Sequence, residues 1–251
     1  MSQDRGQFSS RLGFILAAAG SAVGLGNLVA FPVMASKNGG AAFLIIYLFF
    51  IAFICYPVMI AEISMGRKTQ RNPVGAFSAL SDGDRKWRLV GMLGILTPFM
   101  IAVFYTVITV WLVVYLKEIA TGGLESLADE STFSTLVGEP SLFGYLILLL
   151  GIVFTILLGG VKGGIERLAR VLMPTLAVML ILLTLFVLTL DGALEGIKYY
   201  LVPDFSKVSL TVVNGALSQA FFSLSLGMGI LITYGSYFGR EDNIPQSTRM
   251  V

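Results

Sequence analysis

From Leu12 to Ser36 the sequence carries no charged side chain. Uncharged apolar runs of similar length recur at Ala41 to Ala61, Leu89 to Leu116, Leu142 to Val161, Leu172 to Leu190 and Val208 to Gly239. An α-helix needs roughly 20 such residues to cross ~30 Å of hydrocarbon. The bilayer core has no water to satisfy unpaired backbone groups, so a chain built this way is confined to helices or a closed barrel. With 56% apolar residues, 13% charged residues and a mean hydropathy of +0.85, the composition lies outside that of soluble domains. The reading is an all-α integral membrane protein with six transmembrane helices, in a cell (inner) membrane. The first run exceeds the about 7 to 15 apolar residues of a secretory signal core and is read as a retained span.

The basic residues set an orientation. A cytoplasmic N-terminus places Arg5, Arg11, Arg67, Lys68, Arg71, Arg85, Lys86, Arg88, Lys162, Arg167, Arg170, Arg240 and Arg249 inside, 13 of the 17 Lys and Arg. Lys37, Lys117, Lys198 and Lys207 fall outside, so both termini are expected in the cytoplasm. The net charge of +2 reflects this asymmetry and gives no support to nucleic-acid binding. With no histidine and a single cysteine, Cys55, the chain lacks the means for histidine triads, zinc sites or internal disulfides. An enzyme is not expected.

Two of the runs are interrupted. The first contains GSAVGLGN, Gly20 to Asn27, and the last contains QAFFSLSLGMG, Gln219 to Gly229. A glycine cluster at mid-span is either a close-packing seam, as Gly20 and Gly24 at GxxxG-like spacing would allow, or a break whose freed backbone binds something. Two such spans in corresponding positions of two repeats point to a substrate and ion site at the midplane. Freed carbonyls and Asn27 can coordinate a dehydrated cation, and N–H groups at a half-helix N-terminus suit a carboxylate. VGLGN is no dinucleotide fingerprint, since the third glycine is missing and no strand precedes it.

The connections say less. Arg67 to Arg88 is basic with Phe77, Leu80 and Trp87 interspersed, compatible with an interfacial helix or a solvated loop. Thr121 to Pro140 is acidic, as an outer loop tolerates. Asp191 to Lys207 is a second outer connection, with Tyr199 and Tyr200 near an interface belt. Glu62 is the one acid at the apolar end of a span, a functional candidate by default or a side chain snorkelling near Arg67. Pro174, separated from Gly164 by nine residues, removes a backbone donor in the fifth span.

RLGFILAAAGSAVGLGN with the following FP and NGG, MGR at Met65 to Arg67, KGGIERLARVLMP at Lys162 to Pro174, and QAFFSLSLGMGILITYGSY together resemble the neurotransmitter:sodium symporter family. The resemblance runs through the whole chain. It implies sodium-driven uptake by alternating access, and the first half of a LeuT-type inverted-repeat fold with helices 1 and 6 unwound at mid-membrane. Residues 1–190 would be the first five-helix repeat, 191–239 an outer loop and helix 6, and 240–251 a cytoplasmic tail, in one membrane domain.

Carried over position by position, the resemblance implies one sodium held by the Ala22 carbonyl, Asn27 and Ser223, and a second by the carbonyls of Gly20 and Val23. A substrate carboxylate would meet the N–H groups of Leu25 and Gly26 and the Tyr105 hydroxyl. Its amine would meet the carbonyls of Ala22, Phe222 and Ser223, with help from Ser225. Phe222 looks like an aromatic lid, and Ile101 and Met228 would border the side-chain pocket. Gly24 stands where monoamine carriers place an aspartate, so an amino acid that brings its own carboxylate is the expected substrate. Gly164 and Pro174 match an element that can unwind toward the second sodium site. Glu62 matches a glutamate supporting the broken helices, Arg5 and Phe8 an inner gate, and Gln219 an outer gate.

Two departures stand out. Val29-Ala30 replaces the family's Trp-Arg before Phe-Pro, which removes the outer gate's arginine. Family members also have about twice this length. The expectation is therefore a chain that needs a partner or a C-terminal half carrying helices 7 onward. The competing reading is a non-transporting scaffold or regulatory half.

Overall fold

The structure, a computed structural model, describes residues 11–123, 127, 129–239 and 243–250, so Arg5 and Phe8 lie outside the described residues. Regular structure among these residues is entirely helical. Helix α1 (Arg11–Ala22) ends at the first glycine cluster, and a π-helical turn (Gly26–Ala30) leads into α2 (Phe31–Lys37). The two arms of this span meet at 61°. Gly40, at φ 53°, starts α3 (Ala41–Phe50), which continues through a second π-helical turn (Ile51–Cys55) into α4 (Tyr56–Thr69). Gln70 closes α4 in the left-handed conformation. Asn72 then accepts from the Gly75 N–H and, with Pro73 at the first position, opens the short α5 (Pro73–Leu80). Of the two readings of Arg67 to Arg88, a helix or a solvated loop, the structure shows a helix.

Asp84 caps α6 (Arg85–Ala120), the longest helix, which contains Pro98. The acidic connection holds α7 (Glu130–Val137), bent 67° from α8 (Leu142–Leu158). A π-helical segment (Gly160–Glu166) leads into α9 (Arg167–Val187) with Pro174 inside it. The fifth span therefore begins at Gly160, well before the Leu172 expected from its apolar run. Next come α10 (Ala193–Leu201), then α11 (Leu210–Ser223), capped by Ser209, and α12 (Ile230–Gly235). Ser225, Gly227 and Gly229, at φ 54°, 75° and 68°, separate the last two. The segment expected as a tail carries α13 (Ile244–Thr248), with Ile244, Ser247 and Thr248 buried.

By length and hydropathy three helical stretches can cross a bilayer, Ala41–Thr69, Arg85–Ala120 and Gly160–Val187; the bent pairs Leu12–Lys37 and Ser131–Leu158 raise this to five. The α11–α12 run is not among them, since six residues, 224–229, separate its two arms. Two apolar clusters hold the chain together. One joins Phe14 and Ala18 of α1 to Met59 and Ile63 of α4, Leu231 of α12 and Ile244 of α13, with Phe14 edge-on to Phe238 at 4.3 Å. The other joins Ala35, Phe43, Val212 and Ala216 where α2, α3 and α11 meet. In contrast, α8 and α9 bury no residue of their own and turn aliphatic side chains outward.

Candidate functional site

The breaks in α1–α2 and α11–α12 lie side by side. In the first, the helical ladder resumes with the Asn27 and Leu28 N–H groups donating to the Gly24 carbonyl, at 3.0 Å each. The N–H groups of Gly24, Leu25 and Gly26 therefore precede the ladder, as the first-turn donors of any helix do. Asn27 turns back to donate from Nδ2 to the Ala22 carbonyl at 2.6 Å. Its Oδ1 accepts from Ser223 Oγ at 2.7 Å, a bond across 196 residues of sequence.

Gln219, one turn before Ser223, is buried and donates to Ser223 Oγ at 3.3 Å and to the Gly26 carbonyl at 3.5 Å. It sits at the junction of the two breaks. Ser225 Oγ donates to the Ser21 carbonyl at 3.4 Å. Tyr47 of α3, which the sequence motifs do not include, lines the same cavity as Asn27 and Ser223.

Glu62 does not snorkel. It is buried, and Oε1 accepts from the Gly227 N–H at 2.7 Å, inside the second break. Its other oxygen has no hydrogen-bond partner among the described residues. An acid in α4 thus braces a backbone donor that the unwound segment cannot pair internally, as apolar surroundings require.

Three cavities meet at the breaks. One of about 350 Å³ lies between the first break, α6 and the second break, lined by Ala22, Gly24, Gly26, Ile101, Tyr105, Phe222, Ser225 and Met228, with Gly20, Ser21, Val23, Pro98, Ala102 and Ile230. It gathers seven of the nine expected substrate residues. Pro98 leaves the Gly94 carbonyl without its usual donor, and Gly94 lies against the backbone of Gly227 and Gly229. A Cβ at Gly26 would fall on the Phe222 ring, whereas one at Gly24 would meet only Tyr105, at 3.8 Å. A second cavity, about 690 Å³, exposes Ala22, Asn27 and Ser223 on the side of Tyr47, Tyr56 and Arg249. The third, about 510 Å³, is a groove between α1 and α9 that exposes Gly20 and Val23 beside Met173 and Tyr234. Leu25, half-buried, lines none of the three.

The geometry also reveals Glu166, which the sequence reading did not single out. It is 1% exposed, pairs with Arg170 at 2.7 Å, and fills the space that a side chain at Gly13 would need. Its i,i+4 spacing to Arg170 in KGGIERLAR marks a helical ion pair but not its burial. Gly164 lies in the adjoining π-helical segment, and Pro174 two turns into α9.

The whole set of elements has counterparts in known proteins. The chain is 36% identical over 249 residues to the uncharacterized sodium-dependent transporter YhdH of Bacillus subtilis, covering 98% of this chain and 55% of the relative. It is 25% identical to the mouse sodium-dependent neutral amino acid transporter B(0)AT1, covering 98% of this chain and 43% of that protein. The crystal structure of MhsT in complex with L-phenylalanine superposes with a TM-score of 0.85 and 45% identity, over 97% of this chain and 56% of that one. The chain spans about half the length of the relatives it matches. The sodium:neurotransmitter symporter description matches residues 5–135 and 136–251, almost end to end. By that match this multi-pass membrane chain belongs to the sodium:neurotransmitter symporter family, a family of transporters and not of enzymes.

Proposed function

We propose that the chain is the ligand-binding half of a sodium-coupled amino-acid symporter, with six spans, both termini in the cytoplasm, and a C-terminal half or second chain carrying helices 7 onward. The observation that carries this reading is the Asn27–Ser223 bond, which ties the two broken spans together and faces the cavity of about 690 Å³. Of the groups assigned to the first sodium, Asn27 is hydrogen-bonded to both of the others, the Ala22 carbonyl and Ser223. Sodium accepts only oxygen lone pairs, so its arrival displaces the amide donated to Ala22 and turns Asn27 Oδ1 toward the ion. The second sodium is assigned to the groove at Gly20 and Val23.

The substrate carboxylate is assigned to the first-turn N–H groups at Leu25 and Gly26 and to Tyr105. Its amine is assigned to the carbonyls of Ala22, Phe222 and Ser223. Ile101 and Met228 supply an apolar wall. The open space at Gly24 suits a substrate whose carboxylate needs no side-chain competitor. Alternating access would work by moving the inner arms of the two spans about their breaks, with Gly164 and Pro174 as the second yielding point.

The test is co-expression with a chain carrying the remaining spans, followed by uptake of labelled neutral amino acids in sodium or potassium. The expected result is sodium-dependent uptake that Asn27→Ala reduces by at least tenfold. Uptake indifferent to sodium, or unaffected by that substitution, overturns the reading.

A further inference from the structure

We infer that α5 and the basic residues flanking it form a docking site for anionic phospholipid headgroups, and that a bound headgroup braces the hinge between α11 and α12. Lys68, Arg71, Arg85, Lys86 and Arg88 are all exposed, and among the described residues none of the five is in an ion pair. The acids within this stretch are Asp82 and Asp84, and the Asp84 carboxylate is engaged by the Lys86 backbone N–H at 3.0 Å. Apolar surface borders the cations. Trp87 is 48% exposed and stacks on Phe77 of α5 at 6.3 Å with the rings nearly parallel, and Leu80 and Leu89 are also exposed.

Cations beside an aromatic and aliphatic rim mark a surface at headgroup level, where a soluble anion gains nothing from the rim. Several basic residues where a spanning helix leaves the bilayer recruit anionic lipid by charge complementarity. The site connects directly to the broken helix. A Cβ at Gly91 of α6 would lie 2.6 Å from the Val74 Cα, and one at Gly229 would lie 2.6 Å from Pro73 Cγ. α5 is thus wedged between the start of α6 and the left-handed glycine that opens α12. Placing this surface in the inner leaflet rests on the orientation proposed above; headgroup binding itself does not depend on the transport reading.

The chain has two tryptophans, so Trp111→Phe leaves Trp87 as the reporter. This variant is reconstituted into vesicles of phosphatidylcholine containing a fixed fraction of brominated phosphatidylglycerol or of brominated phosphatidylcholine. Preferential quenching of Trp87 by the glycerol lipid is expected, with the preference falling at least about fivefold in Arg71→Gln/Arg85→Gln/Arg88→Gln and retained in the corresponding triple Lys variant. Equal quenching by both lipids, or a preference unaltered by the Gln substitutions, overturns the proposal. Competition by millimolar glycerol phosphate would show a soluble-anion site and overturn the lipid assignment. Amide exchange across Leu226 to Ile230 should slow in phosphatidylglycerol; headgroup binding with unchanged exchange overturns the bracing. Neither readout requires sodium, substrate or a second chain, so failure here leaves the symporter reading standing.

Discussion

Gly24 and Gly26 are two residues apart and have opposite freedoms. A methyl at Gly26 meets the Phe222 ring, which is held by the second broken span, whereas a methyl at Gly24 makes an ordinary contact with Tyr105. Overpacking of this kind costs typically about 1–3 kcal/mol. Gly26→Ala is therefore expected to lower the heat-unfolding midpoint of the purified chain in detergent by several degrees. Gly24→Ala should leave it within about one degree while narrowing the cavity. Equal shifts in a side-by-side melting experiment would show that Phe222 yields and does not wall the cavity. At this scale the sequence was informative: Asn27, Ser223, Tyr105 and Phe222 carry their chemistry in their side chains, and the structure gathers them. Glu166 and Tyr47 were not legible, because a glutamate among arginines and a tyrosine in an apolar run look like ordinary surface and core. Only the fold shows one against Gly13 and the other in the cavity that Asn27 and Ser223 face.

At the scale of elements, glycine spacing alone does not separate a packing seam from a binding break, and the structure puts close backbone packing at glycines outside the first break. Beside Gly20 the nearest atom to an added Cβ is the Met173 sulfur at 3.5 Å. The backbone-to-backbone seam lies between α4 and α12: a Cβ at Gly66 would sit 2.8 Å from Ser236 N, and one at Gly235 would sit 2.9 Å from the Ile63 Cα. Neither backbone can rotate away as a side-chain tip could. Gly66→Ala and Gly235→Ala are each expected to destabilise by about 1–3 kcal/mol, seen as a lower midpoint of heat-induced aggregation, with Gly20→Ala close to unchanged. Insensitivity at both seam positions would mean that α4 and α12 are not in backbone contact. The π-helical turns were equally hidden, since i→i+5 bonding leaves no composition signature. The fifth span's early start at Gly160 does not show in the hydropathy, because Lys162, Glu166, Arg167 and Arg170 interrupt it.

For the whole molecule, the positions assigned to sodium open sideways. Gly20 and Val23 face a groove of about 510 Å³, and Asn27 and Ser223 a cavity of about 690 Å³. A dehydrated sodium ion needs a nearly complete shell of oxygens to replace its lost water, and the first assigned set supplies three residues, whose polar groups already satisfy one another by hydrogen bonds. Breaking those bonds for a half-formed shell offers little net gain, because each buried donor or acceptor left unpaired costs about 1–3 kcal/mol. The purified chain alone is therefore expected to show no difference in melting midpoint between sodium and potassium, with or without neutral amino acids. Once a chain carrying the remaining spans is bound, sodium at a hundredfold its dissociation constant should stabilise the pair by about 2.7 kcal/mol, an upward shift that Asn27→Ala removes. A sodium-specific shift in the isolated chain would instead mean that Ala22, Asn27 and Ser223 suffice with water completing the shell, and that the two broken spans form a working ion site without help from across the groove.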